Sequence, residues 1–263
     1  MPGSIEILAR IAALPDDALQ RPVALADGTR APIQVVLYDC LRREQSLVVG
    51  ASTQDRLEIG RILDLAQAAY GQLMGLLVGR DDALLDAARD GEWSLRDLMR
   101  HAIAVELRYA AQVLWGATRR EDDPLAIPNE RLPCDRLAPP EPAFADARTR
   151  GIARALELLG QARASSDEQL ARIPDAALDR PTLWGQMQLP VRMRAHQMAA
   201  HLSEVLVQAE KCLFPFGPES EARRILRHCC AMRGAHERWS AGDARSAIDD
   251  DYQRVLSKVL DAS

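Results

Sequence analysis

Apolar residues recur every three or four positions through most of the long segments of this chain, a pattern that predicts amphipathic helices. One stripe predicts a helix over about residues 53–78, and another predicts a helix from Ser94 to about Trp115. Ser94 is a good N-cap, and Asp97 three residues later completes a capping box. Four more helices are expected over about 144–164, 190–213, 219–238 and 243–261. No segment has a convincing strand pattern, so we expect an all-α protein, an up-down bundle with additions.

Prolines separate these helices. Residues 121–143 contain six prolines, which cannot sit together in a helix or a central strand. We expect this segment to be a long extended crossover between two helical hairpins, or a lid. Pro174 and Pro181 mark another connection, and Pro190 is expected in the first turn of the following helix, where its missing N–H costs nothing.

Composition and charge narrow the class of protein. Hydrophobic residues make up 48% of the chain and aromatic residues 4%, as expected for a helical core of Leu and Ala. A net charge of -5 gives no basic surface for nucleic acid, and no apolar run approaches a membrane span. Glu6 and Arg10 argue against a signal peptide. Five cysteines without a paired framework indicate a reducing compartment, so we expect a cytoplasmic protein.

Two histidines, about 100 residues apart, stand out as candidate functional residues. His101 follows Trp93, which we expect to be buried, and lies on or beside the apolar stripe of its helix. His201 also lies among apolar neighbours. A lone histidine in such a place is more often a satisfied core or pocket residue than a ligand. Two inward histidines on non-adjacent helices favour a shared site, because helical bundles build metal sites in this way.

A catalytic zinc site takes three protein ligands, and the third one is in question here. Val205 lies one turn after His201 and cannot bind a metal. Glu204, three residues after His201, is the nearest substitute. His196 is rotated by about 140° from His201 and is expected at a rim. Weaker candidates are Glu106, Gln208, His228, Cys229 and Cys230. The cysteines otherwise read as small packing residues, as do Cys40, Cys134 and Cys212.

An internal similarity concerns the N-terminal 50 residues. The segment from Leu14 to Pro22 is similar to that from Ile173 to Pro181, and each is followed by a Pro-β-branched pair that opens a helix. The two segments are either similar helix connections or copies of a duplicated helical hairpin. In the second case three polar residues stand roughly where the histidine helix is in the other copy: Tyr38, Asp39 and Glu44.

The two histidine segments together resemble the DinB-like superfamily. The Trp93-Ser94 pair followed by His101 is similar to the family's second helix. The family's fourth helix carries His-x-x-x-His followed by Gln, and the segment from His201 to Gln208 matches it except at Val205. The resemblance covers about residues 55–213.

This resemblance implies an up-down-down-up four-helix bundle over residues 53–215, with helical extensions over 1–52 and 216–263. It also implies a divalent metal, zinc or nickel, held by three histidines. Family members include thiol-dependent S-transferases and a maleylpyruvate isomerase, in which the metal would bind a thiol and lower its pKa. The family commonly forms homodimers, and an alanine-rich helix face is compatible with one here.

Val205 leaves three hypotheses for function. In the first, metal binding is weak or absent and the bundle is a non-catalytic binding or interaction module. In the second, Glu204 or a residue from one of the added terminal segments replaces the missing ligand, and a thiol S-transferase or isomerase activity remains. In the third, His101 and His201 act without metal in a small-molecule pocket that also includes Trp93, Val205 and Gln208.

Overall fold

The structure is a computed structural model that describes residues 5–25, 27–52, 56–86, 88, 91, 93–133, 141–240 and 242–260, with the backbone alone for 141–150 and 258–260. Across these residues it contains eight α-helices and two small antiparallel hairpins. The helices are α1 (Ile5–Ala12), α2 (Ile33–Ser52), α3 (Glu58–Leu77), α4 (Leu95–Thr118), α5 (Glu141–Leu170), α6 (Val191–Leu213), α7 (Glu221–His236) and α8 (Gly242–Leu260). The strands are β1 (Pro22–Ala24), β2 (Arg30–Pro32), β3 (Pro181–Trp184) and β4 (Met187–Pro190). Among these helices, none is both long and apolar enough to cross a membrane.

The chain divides into two units by its internal contacts. Unit 1 contains Met1–Gln54, Tyr70–Asp81 and Phe214–Ser263, and unit 2 contains Asp55–Ala69 and Asp82–Leu213. The two terminal segments therefore belong to one unit, together with residues 70–81. The division at residues 52 and 215 that the sequence suggests stays a prediction.

In unit 2, helix α4 packs against both α5 and α6. Helix α4 begins where the sequence predicts, because the Ser94 hydroxyl accepts a hydrogen bond from the Asp97 amide at 3.1 Å. The same hydroxyl donates to the Asp97 carboxylate at 2.8 Å. Gly116 on α4 allows a close approach, since a Cβ there would lie 2.7 Å from the Val191 side chain at the start of α6.

Helix α5 is interrupted, which the sequence pattern did not predict. Gly151 has φ 72° and lies inside the span Glu141–Leu170, so the helix breaks there and restarts at Ile152. The carboxylate of Asp82 accepts a hydrogen bond from the Ile152 amide at 2.8 Å and occupies the space that a Cβ on Gly151 would need. The Asp82 side chain thus caps the first turn of the second part of α5, although it comes from a distant part of the chain. Residues 134–140 of the predicted crossover lie outside the described residues.

The prediction that the chain has no strands is wrong at two places. Strands β3 and β4 pair in register from Pro181 with Pro190 to Trp184 with Met187. Gly185 has φ 60°, as the first central residue of a type II′ hairpin turn requires. Pro190 ends β4, and helix α6 begins one residue later, at Val191. Strands this short leave no alternating pattern that a sequence reading can detect.

Unit 1 repeats this local structure near the N-terminus. A short 3-10 helix (Asp16–Gln20), the hairpin β1–β2 and helix α2 follow one another, as a 3-10 helix (Asp175–Asp179), β3–β4 and α6 do in unit 2. The first amide of each long helix donates to an arginine carbonyl: Ile33 to Arg21 at 3.0 Å, and Val191 to Arg180 at 2.9 Å. The sequence similarity therefore corresponds to a similar local structure, while duplication stays a hypothesis.

The core of each unit contains a buried ion cluster. In unit 2, Arg163 is 1% exposed and donates to Glu106 at 2.6 Å. In unit 1, Glu44 is fully buried and accepts from Arg233 at 2.8 Å and contacts His236. Burial of such charges is tolerated because each has an opposite partner.

Candidate functional site

His101 and His201 meet in unit 2. Helix α4 carries His101 and α6 carries His201, and their Nε2 atoms are 3.0 Å apart. Both rings are half-buried. Their separation is that of a hydrogen bond, in which one imidazole donates and the other accepts. The structure therefore brings together the two residues that the sequence singles out.

The histidine pair lies in a row of rings. Trp93 contacts His101 edge to face, with the ring centroids 4.8 Å apart. On the other side, Tyr109 lies 5.7 Å from His201, and the Arg194 guanidinium lies 4.0 Å from the Tyr109 ring centroid. Such edge contacts and cation–π contacts fix the orientation of each ring against the next. The imidazoles are thus held in place by aromatic neighbours from both sides.

Burial keeps His201 uncharged. Desolvation, and next the nearby His101, lower the pKa of His201 to about 4 from its ordinary value of 6.5. At neutral pH His201 is therefore a neutral imidazole with one N–H donor and one acceptor nitrogen.

The first cavity beside the pair, which we call the Trp93 cavity, has a volume of about 320 Å³. Its described lining consists of Gly91, Trp93, Leu98, His101, His201, Glu204, Val205 and Gln208. The expectation that Trp93 is buried is wrong, because its side chain is 43% exposed at this cavity. Val205 is 2% exposed and forms part of the wall. The pocket residues proposed from the sequence therefore line one cavity.

These residues do not fit a metal centre with three protein ligands. Two imidazole nitrogens on one tetrahedral zinc lie about 3.3 Å apart, so the histidine pair has nearly suitable spacing. Among the described residues, however, no group of three His, Cys, Asp or Glu side chains is arranged to hold a metal ion. Val205 presents methyl groups where the resemblance places the third ligand. Glu204 is exposed at the cavity rim and does not complete such a group.

A second cavity, which we call the Arg108 cavity, was not predicted from the sequence. It has a volume of about 690 Å³ and shares His101 and His201 with the Trp93 cavity. Its other described lining residues are Val105, Arg108, Tyr109, Gln112, Trp184, Gly185, Gln186, Met187 and Arg194. The sequence does contain a pattern that indicates this cavity: Arg108 follows His101 by seven residues, and Arg194 precedes His201 by seven. Seven residues are about two helical turns, which places each arginine on the face of its histidine.

Neither cavity has His196, His228, Cys229 or Cys230 among its described lining residues. His196 is exposed, in agreement with a place away from the pair, and His228 is exposed on α7 in unit 1. Cys229 and Cys230 are fully buried in the core of unit 1, and burial raises the pKa of each thiol to about 12. A thiol in that state is a packing residue rather than a ligand. Cys40 and Cys212 are also buried, and Cys134 lies outside the described residues.

These observations define a class of protein, namely a helical bundle in which two helices each present one histidine to a shared pocket. The family model of the DinB superfamily matches residues 65–204, just over half of the 263-residue chain. The chain therefore belongs to the DinB superfamily, and the all-α fold predicted from the sequence is confirmed. No curated protein and no solved structure matches the chain. The matched segment includes both histidines and ends at Glu204, one residue before Val205.

Proposed function

We propose that this chain is a small-molecule-binding member of the DinB superfamily whose histidine pair works without a bound metal. The observation that carries the proposal is the direct contact between the Nε2 atoms of His101 and His201, beside a wall formed by buried Val205. Metal binding by these two nitrogens would have to displace that contact and would gain no third histidine in return.

Two features support a binding role. The pair borders two cavities, of about 320 and 690 Å³, and the larger volume falls within the usual range for small-molecule sites. The lowered pKa of His201 leaves a neutral ring that can donate or accept one hydrogen bond. A ligand polar group that enters either cavity can therefore pair with an imidazole without meeting a charge on His201.

A ligand screen by thermal shift tests the proposal, with protein that carries no histidine tag and has been treated with a chelator. We expect compounds that raise the melting temperature of the wild type and lose that effect in His101→Ala. His196→Ala, an exposed histidine on the same helix as His201, is the matched control and should keep the effect. Compounds that stabilise wild type and His101→Ala equally, or a screen without any stabilising compound, would overturn the proposal.

A second candidate function is a metal-dependent thiol S-transferase or isomerase with Glu204 as the replacement ligand. One observation favours it: Glu204 lines the Trp93 cavity together with both histidines. Zinc and nickel titrations of the wild type and Glu204→Gln separate the two functions, with Glu210→Gln as a control on the same helix. Tight metal binding that is lost in Glu204→Gln and kept in Glu210→Gln would favour this second function.

A further inference from the structure

The Arg108 cavity is lined by two cationic side chains. Arg108 and Arg194 line it, and none of the other described lining residues is acidic. The polar groups that accompany the arginines are neutral: the amides of Gln112 and Gln186 and the phenol of Tyr109. Two guanidinium groups in one concave site create a positive potential that a low-dielectric wall strengthens.

Arg194 is held in a fixed orientation. It is 2% exposed, it donates to the side-chain oxygens of Gln112 and Gln197, and it stacks over the Tyr109 ring. These contacts position the guanidinium in the wall of the cavity.

Part of the lining of the cavity is apolar and exposed to solvent. The tip of the β3–β4 hairpin contributes Trp184 and Met187, which are 44% and 52% exposed. Gly185 makes the tight turn between the two strands. Exposed large apolar side chains at the mouth of a cavity are typical of surfaces that cover a ligand.

We propose that the Arg108 cavity binds a small organic oxyanion with an apolar body. The oxyanion contacts Arg108 and Arg194, the body packs against Trp184 and Met187, and a polar group near the far end reaches the histidine pair. Guanidinium forks suit both carboxylate and phosphate oxygens, which is the chemistry that the two ligand sources share. This inference rests on the proposed function, because it names the ligand class of the same pocket.

Matched probes with one ring system test the charge requirement. We would measure by calorimetry the binding of naphthoate, naphthyl phosphate, naphthylmethanol and naphthylmethylamine, and repeat the series with benzene, indole and alkyl bodies. We expect the oxyanions to bind at least about tenfold more tightly than the alcohols, because a charge-assisted hydrogen bond adds that much. The amines should not bind. Affinity for the oxyanions should fall as salt is raised.

Single-residue variants test which side chains cause the preference for oxyanions. Arg108→Gln, at a half-buried position, should remove most of the preference for oxyanions and leave the fold intact. Arg100→Gln is the matched control, since Arg100 lies on the same helix, pairs with Asp97 at 3.7 Å and does not line the cavity. Trp184→Ala should weaken oxyanions and alcohols by the same factor, because it removes apolar contact alone. Arg194→Gln is expected to act like Arg108→Gln if it folds, as circular dichroism would show.

The outcome separates this inference from the proposed function. The preferred oxyanion of the series, carboxylate or phosphate, identifies the source of the ligand. Binding of alcohols as tight as that of oxyanions, no binding of any oxyanion, or a preference that survives Arg108→Gln would overturn the inference. If neutral compounds bind as tightly as the oxyanions or more tightly, and their binding depends on His101, the proposed function stands and the inference fails. If no bound compound of any charge depends on His101, both fail.

Discussion

Replacing Val205 with histidine should create a metal centre with three histidine ligands. Val205 lies on α6 one turn after His201, is 2% exposed and lines the Trp93 cavity together with both histidines. The substitution places a third imidazole in that wall. In the metal-free variant the buried ring replaces apolar packing, so we expect the free energy of unfolding to fall by about 1–2 kcal/mol.

The size of the gain in metal affinity follows from the geometry. The two Nε2 atoms are 3.0 Å apart. They would need to separate by only about 0.3 Å to reach the spacing on a tetrahedral zinc. Zinc sites with four ligands bind with about 10–16 kcal/mol, or about 3 kcal/mol for each ligand. A third histidine should therefore tighten zinc binding by about a hundredfold or more.

Competition with a chromophoric chelator measures this affinity in protein without a histidine tag. Val207→His is the matched control, because Val207 is on the same helix but is 52% exposed and does not line the Trp93 cavity. We expect a large gain for Val205→His and little change for Val207→His. If the two variants bind zinc equally, His101 and His201 do not converge in solution as the structure has them, and the reasoning fails.

Three further predictions concern the stability of the protein. The lowered pKa of His201, about 4 against 6.5, means that the unfolded state takes up the proton first as the pH falls. In chelator-treated protein the free energy of unfolding should therefore drop by up to about 2 kcal/mol between pH 7.5 and 5. Urea titrations should show this drop reduced in His201→Gln and kept in exposed His196→Gln; equal slopes would contradict it. Arg163→Met leaves buried Glu106 unpaired and should cost about 3–5 kcal/mol in urea unfolding, and Arg163→Met with Glu106→Met should recover much of that loss. Gly151→Ala should lower stability by about 1–3 kcal/mol, since alanine is strained at φ 72°, and an unchanged melting temperature would show that the break in α5 is absent.

The sequence predicts the helices well because each one leaves a periodic signal over many residues. Ser94 caps α4 as expected, and the apolar stripes place the histidine helices within a few residues of their observed bounds. The same periodicity puts His101 and His201 on inward faces. A shared site could be expected because helical bundles build sites from inward side chains on different helices.

The β3–β4 hairpin and the break in α5 could not be predicted, because short features leave a weak pattern in the sequence. The β3–β4 hairpin has four residues in each strand, and its one turn signal, Gly185, is a single glycine among fifteen. The break at Gly151 depends on the carboxylate of Asp82, which is 69 residues away in sequence. Such a contact cannot be read from local pattern.

The Arg108 cavity shows a different limit. In a helical chain rich in arginine, most arginines are expected to be solvated surface residues. Charge alone therefore did not identify Arg108 and Arg194 as residues of a binding cavity. Their spacing of seven residues from His101 and His201 was visible in the sequence. It became informative only when the structure placed all four residues in the lining of one cavity. The buried stack of Arg194 on Tyr109 required the structure.

The central claim is that the histidine pair works without a bound metal, and metal content tests it most directly. The untagged chain would be produced with zinc and nickel in the medium, freed of loosely bound metal by gel filtration, and analysed by mass spectrometry for metal per chain. The account predicts far less than one equivalent of either metal, and the same low content in His101→Ala and His201→Ala. About one equivalent per chain that disappears in both variants would contradict it.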